Sequence, residues 1–204
     1  MRARREHMMR ARREHMMRAR IGLAGALLAC LLASGCATKA PAYQTSVDNV
    51  HTLAGLGPVR AAVGTVKLDE RNAESLNRLS ARAMSIEPPY AGGYAEYLAE
   101  ALRADLAAAG KLDPKAPKSI HAVMTANNLD ASGINTGIAQ VAARFTVTER
   151  GRVLYDRHLE AKHEWESSFM GAIAVMNALH NYNVTVQKLV GQLFADPAFG
   201  KALQ

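Results

Sequence analysis

Residues Ala139 to Trp165, AQVAARFTVTERGRVLYDRHLEAKHEW, alternate apolar and polar side chains on both sides of Glu149-Arg150-Gly151. Side chains on a strand point to opposite faces in turn, so Ala139, Val141, Ala143, Phe145 and Val147 share one face, opposite Gln140, Arg144, Thr146 and Thr148. On the return arm Val153, Tyr155, Leu159, Ala161 and Trp165 take one side, and Asp156, His158, Glu160, Lys162, Glu164 and Glu166 take the other. The pattern predicts a β-hairpin with one dry and one wet face. Gly151 fits the last position of a three-residue loop with φ > 0, which sets Val147 opposite Val153, Phe145 opposite Tyr155, Val141 opposite Leu159 and Ala139 opposite Ala161. A two-residue Arg150-Gly151 turn would instead set Phe145 against Asp156 and put apolar residues on both faces.

A dry face needs a cover, and helical periodicity supplies it on both sides of the hairpin. Downstream, Val175, Leu179, Tyr182, Val186, Leu189 and Leu193 stripe a long helix over Phe169 to Ala195 that Pro197 stops. Upstream, Tyr94, Tyr97, Leu98, Ala101, Leu102 and Leu106 make a second stripe, with Glu96, Glu100 and Arg103 facing away and Gly110 placed as the C′ cap. Ser119 to Asn128 reads as a strand with Ile120, Ala122 and Met124 inward, and the polar stretch Asp130 to Gly137 connects it to the hairpin. Pro58 to Leu68 reads as the first strand. If it lies parallel beside the Ser119 strand, the link through the Tyr94 helix is a right-handed crossover. The expected fold is α+β, an α/β sandwich: a mixed, mostly antiparallel sheet of about four strands with two main helices on one face.

Two stretches read less directly. From Asn72 to Gly93, Leu76, Leu79 and Ala83 fit a helix, while the alternation of Arg78, Ser80 and Arg82 fits an extended edge. Val47, Val50 and Leu53 predict a short helix ending at Gly55, and Ala37 to Ser46, without apolar periodicity, reads as a tether reaching roughly 15 to 20 Å.

Ahead of the domain the chain reads as an address. Arginines precede the apolar run Ile21 to Leu32, and small residues follow, in the order of a secretory signal; the run is shorter than the roughly 20 residues a membrane span needs. MRARREHM at Met1 to Met8 recurs at Met9 to Met16, a duplicated basic octet far too short to be a stacking repeat. The expected organisation is a signal peptide over 1–35, an anchor and tether over 36–57, and one α/β domain over 58–204.

Removing the eight arginines and two glutamates that precede Cys36 from the totals of 25 basic and 18 acidic residues leaves 17 against 16. All but one unit of the whole-chain charge of +7 therefore belongs to the leader, and the mature domain has no reason to seek nucleic acid. Cys36 is the last cysteine of the chain, so nothing after the leader can form an internal disulfide or a cysteine metal site.

Leu32-Ala33-Ser34-Gly35-Cys36 resembles the lipobox of bacterial lipoproteins, in which the cysteine thiol takes a diacylglycerol and becomes the new N-terminus. That resemblance implies lipidation at Cys36 and a membrane partner through the acylated cysteine. Ala37 stands where an aspartate would signal inner-membrane retention, which implies the periplasmic face of the outer membrane. Tyr97-Leu98 with Ala101-Leu102, Ala109 to Asp113, Asn128 to Ser132 and Trp165-Glu166-Ser167-Ser168-Phe169-Met170-Gly171-Ala172 resemble a family of small uncharacterised Gram-negative lipoproteins. At fold level the chain is similar to YajG-like lipoproteins and to the α/β domain of curli-secretion lipoproteins, a likeness of architecture that assigns no activity.

The residues that could carry chemistry do not converge. His158 and His163 are separated by an odd number of residues, so a strand sends them to opposite faces, and no metal or other cofactor is expected. Ser167-Ser168, with His163 or His180 as helper, lacks the glycines of a nucleophile elbow and reads as the cap of the last helix. No catalytic residue is expected. Arg78 and Arg82 lie on one side in either conformation of their segment and form a candidate anion or headgroup contact, set against a solvated face in which Glu74 pairs with Arg78. The reading is an outer-membrane lipoprotein acting as a binding or assembly accessory with an envelope protein or lipid as partner. The alternative is an envelope enzyme acting on lipid, sugar-nucleotide or peptidoglycan substrates.

Overall fold

A computed structural model describes residues Ala37–Gln204, which form one compact unit; the lipobox and the leader lie outside the described residues. Seven strands and five helices follow in chain order among them: β1 (Ala37–Lys39), α1 (Val47–Ala54), β2 (Ala62–Leu68), α2 (Ala73–Leu76), β3 (Leu79–Ala81), β4 (Met84–Glu87), α3 (Gly93–Ala108), β5 (Lys118–Asp130), β6 (Thr136–Glu149), β7 (Arg152–Glu166), α4 (Gly171–Ala195) and α5 (Pro197–Leu203). The main sheet has the order β2-β5-β6-β7, with β2 parallel to β5 and the other pairs antiparallel. This is the mixed α+β sheet expected, and β2 and β5 are the parallel neighbours that a crossover through α3 requires. A small sheet of order β1-β4-β3 was not foreseen.

The dry face is the one the alternation marked. Ile120 and Met124 of β5, and Ala139, Val141, Ala143, Phe145 and Val147 of β6, are fully buried under α3 and α4. The opposite face is wet and self-paired: Arg144 bridges Asp156 at 2.6 Å, Gln140 bonds Glu160, and Lys162 pairs with Glu164. Such exposed pairs keep the face hydrated and add little stability.

The β6–β7 register differs from the expected one. The turn is the two-residue Arg150-Gly151, with φ of 50° and 82°, both positive as a type I′ turn demands. The ladder then shifts between Val147 and Thr148, where β7 carries one extra residue, Leu154. Val147 therefore faces Tyr155, Phe145 faces Arg157, Val141 faces Ala161 and Ala139 faces His163. A two-residue turn alone would have flipped every side chain, and the one-residue bulge flips them back. Val153 lands beside the turn opposite Thr148 and is 56 % exposed, so it does not join the core.

Helix α3 ends as its glycine predicts. Gly110 has φ 69°, the Lys111 N–H donates to Leu106 O at 2.7 Å and the Gly110 N–H to Ala107 O at 2.9 Å, the two bonds of a Schellman motif. Its start is served from a distance, because Asn77 Oδ1 accepts the Tyr94 N–H at 3.0 Å. Arg103 on the outer side bonds Glu96 at 2.7 Å and also Glu100.

The segment Asn72 to Gly93 resolves into both of its readings, a single turn of helix at α2 and then the β3–β4 hairpin. The tether reading of Ala37 to Ser46 is corrected. β1 pairs with β4, the Ala40 N–H donates to Glu87 O at 2.8 Å, and Tyr43 is buried against Tyr97 with its hydroxyl donating to Asp105 at 3.0 Å. Gln44 N–H donates to Asn183 Oδ1, and Gln187 Nε2 donates to Gln44 O. A segment held by backbone hydrogen bonds and one anchoring ring has no periodicity for a sequence pattern to show. Among the described residues no slack follows Cys36, since Ala37 is already paired with Ser85.

Candidate functional site

The β3–β4 turn is locked to two distant loops by one side chain. Arg82, in the left-handed region at φ 57°, donates to the carbonyls of Ser132 and Gly133, each at 3.1 Å, and of Ser168 at 2.8 Å. Ser132 and Gly133 belong to the β5–β6 connection, and Ser168 to the corner between β7 and α4. One guanidinium thus gathers three segments at one end of the sheet, using the several donors that make arginine suited to bridging.

What these loops present outward is apolar. Ile134, next to Gly133, is 58 % exposed; Phe169, next to Ser168, is 81 % exposed. Met170 (62 %), Ile173 (44 %) and Met176 (66 %) continue along the outer side of the first turns of α4, while Ala174, Val175 and Ala178 face the core. Single exposed apolar residues are ordinary, but four of these five fall within the eight residues from Phe169 to Met176. The stripe leads into a groove of 390 Å³ between α4 and the N-terminal segment, lined by Thr38, Lys39, Pro41, Met176, Leu179 and His180 among others.

Three buried polar atoms at this end have no protein partner: Arg82 Nε, Trp165 Nε1 and Ser167 Oγ. Trp165, the only tryptophan, pairs across the ladder with Gly137, and a Cβ at Gly137 would run into the indole. Gly137→Ala is expected to displace the ring, shift the emission of this single fluorophore and lower stability by about 1–3 kcal/mol. An unchanged emission spectrum would show that the strand yields instead of the indole.

The residues singled out from the sequence fall in different places. Cys36 lies outside the described residues. Arg78 is paired with Glu74 at 2.5 Å on an exposed surface, whereas Arg82 is spent on the three carbonyls, so the structure gives the two guanidiniums separate partners and not one shared cationic site. His158 bonds Thr125 on the wet face at 2.8 Å, and His163 sits between Asn181 (2.9 Å) and Lys188 (2.8 Å). Because the Lys188 ammonium can only donate, His163 Nδ1 accepts from it and Nε2 carries the hydrogen donated to Asn181. The serine cap on the last helix is corrected: Ser168 Oγ accepts the N–H of Met170 at 3.1 Å, one residue ahead of α4, and the Met170 N-cap supplies no side-chain bond. Neither Ser167 nor Ser168 bonds His163 or His180.

A second constellation escaped the sequence reading. Asp105 is fully buried and accepts from Tyr43 Oη at 3.0 Å, Asn49 Nδ2 at 2.7 Å and Ser46 N at 3.2 Å. Burial raises its pKa above the ordinary carboxylate value, against the lowering effect of the donors. Tyr43 joins Asp105 to a cluster with Tyr90, Tyr94, Tyr97 and Tyr182, whose rings meet edge-on or tilted, with Tyr182 donating to Asn127 and Tyr97 to Asn183. Each of the five hydroxyls takes part in a hydrogen bond, and through Tyr43 the group fastens the N-terminal segment to the core. An aspartate on the apolar stripe of α3, next to Leu106, was the available signal.

No protein-family model and no curated protein sequence matches the chain. Among solved structures, a Xanthomonas campestris protein of the DUF330 family model superposes with a TM-score of 0.52 at 10% identity, covering 81% of this chain and 96% of that one. A candidate lipoprotein from Caulobacter crescentus CB15 gives 0.42 at 10% identity (74% and 95% covered), and a minor lipoprotein from Acinetobacter baumannii gives 0.39 at 13% identity (70% and 95%). The first of these likenesses shows a shared fold, and a shared fold does not carry an activity with it.

Proposed function

We propose that the chain is a lipid-anchored accessory of the outer membrane, held by Cys36 with its α+β domain on the periplasmic side, and that it binds or helps assemble an envelope component without catalysing a reaction. The observation that carries this reading is the exposed apolar run Phe169 to Met176 with Ile134, on the end of the fold where the chain joins the lipobox-like Leu32 to Cys36. No helix among the described residues is long and apolar enough to cross a membrane. The enzyme alternative has no catalytic pair in its favour: Ser168 and His163 are tied into structural contacts, and Ser167 Oγ, buried without a protein partner, bonds neither His163 nor His180.

Metabolic labelling with palmitate, followed by membrane fractionation, tests the proposal. Wild-type protein is expected to carry label and to sediment with outer membranes, and Cys36→Ser to lose both properties, since several acyl chains together hold a protein that one alone would not. Unlabelled, soluble wild-type protein would sink it.

A further inference from the structure

We propose that the apolar corner is the membrane-seating surface of the domain: Ile134, Phe169, Met170 and Ile173 dip into the bilayer that anchors Cys36, and the domain stands on this end with the Arg150-Gly151 turn pointing away. This rests on the lipid-anchor reading and adds an orientation to it.

The strand registers place the corner beside Ala37, the residue that follows Cys36 in the chain. Ala37 pairs with Ser85, one residue past the start of β4, and β3 and β4 meet at Ala81 and Met84 on either side of the Arg82 turn. One strand spacing and three residues of chain therefore separate the Ala37 backbone from that of Arg82, no more than about 16 Å. Arg82 in turn holds the carbonyls of Gly133 and Ser168, the immediate neighbours of Ile134 and Phe169. β5 ends, β6 begins and β7 ends at this same edge, with Asp130 opposite Ile138 and Thr136 opposite Glu166. The opposite edge carries the Arg150-Gly151 turn.

Because Ala37 is already in a strand, no slack chain separates the lipidated residue from the fold. Acyl chains entering the bilayer from Cys36 bring this edge to the headgroups, and an exposed Phe-Met pair there meets lipid before it meets anything else. Side chains of this kind on one side of a helix end bury about 5–10 Å into the interface. The N-terminus of α4 suits that depth: it has no side-chain cap, and its first free N–H groups would meet headgroup phosphates and not hydrocarbon. Glu164 and Glu166 alternate onto the wet face and stay outside the contact.

The experiment uses the full lipidated protein in vesicles of phosphatidylethanolamine and phosphatidylglycerol. The mature chain has Cys36 as its only native cysteine, and acylation blocks it, so a cysteine introduced by Phe169→Cys, Met170→Cys or Arg150→Cys is the single site for an environment-sensitive fluorophore. Probes at 169 and 170 are expected to shift to the blue and to lose intensity to lipid-borne nitroxide quenchers, while the probe at 150 responds only to a quencher in the water. If the protein is palmitate-labelled and vesicle-bound but 169 and 170 behave like 150, the seating is overturned while the anchor stands, and the face passes to a protein partner or a second copy. If the protein takes no palmitate, both readings fall together.

Discussion

Asp105→Ala is expected to lower the stability of the domain by about 3–5 kcal/mol, a large share of the 5–15 kcal/mol that holds a domain of this kind together. The substitution leaves the buried Tyr43 hydroxyl and the half-buried Ser46 N–H without an acceptor, and Asn49 Nδ2 with only its second bond, to Gln187 O at 3.0 Å. An unsatisfied buried donor costs the full desolvation of that group, which is why the loss exceeds what three ordinary hydrogen bonds contribute. The damage has a direction: residues 40–49 should peel from α3 and α4 first, so hydrogen exchange at Ser46 to Leu53 should rise before the sheet opens. Equal exchange in mutant and wild type would mean the segment is held by β1 and the Gln44 contacts alone.

The same residue sets a sign for pH dependence. A carboxyl whose folded pKa is raised binds its proton more tightly in the native state than in the unfolded one. Its contribution is therefore fully present below the ordinary aspartate value and is lost as pH rises through the raised folded value. Asp69, Asp130, Asp156 and Asp196 act oppositely, because their pKa values are lowered: stability from them is present at neutral pH and lost as pH falls through those lowered values. The difference between wild type and Asp105→Asn in chemical denaturation, followed from pH 4 upward, should isolate the Asp105 leg as a loss of wild-type stability with rising pH.

Arg82→Ala is expected to cost about 2–3 kcal/mol and to loosen the whole corner, since three carbonyls on two loops lose one charged donor group. Arg82→Gly separates the clamp from the backbone. Glycine accepts φ of 57° without the penalty a Cβ brings, so it should recover about 1 kcal/mol relative to alanine while leaving the loops unclamped. The stability order arginine, glycine, alanine in thermal unfolding is the expected result, together with faster exchange at residues 131–135 and 167–170 in both mutants. If glycine restored the wild-type exchange, the guanidinium would be incidental and the turn conformation would hold the corner.

What the amino-acid sequence determined by itself is the set of faces. Alternation along Ala139 to Ala161 and the stripes of α3 and α4 depend only on which way successive side chains point. Val153 apart, they named the core correctly, even though the hairpin ladder is displaced by two residues from the expected register, because a displacement of two preserves the face. Local chemistry was equally legible where it closes within a few residues, as at the Gly110 cap and the Glu74–Arg78 pair. Tertiary structure alone decided the rest. The extra residue at Leu154 returns the apolar side of β7 to the helix-covered face after a two-residue turn, and the docking of Ala37 to Ser46 answers to a carboxylate 62 residues from Tyr43 along the chain. The apolar corner depends on Arg82 reaching carbonyls 50 and 86 residues away. Contacts of that span leave no period in a sequence, and the run Ser167-Ser168-Phe169-Met170 reads as the start of one more core helix until the sheet shows that nothing among the described residues covers it.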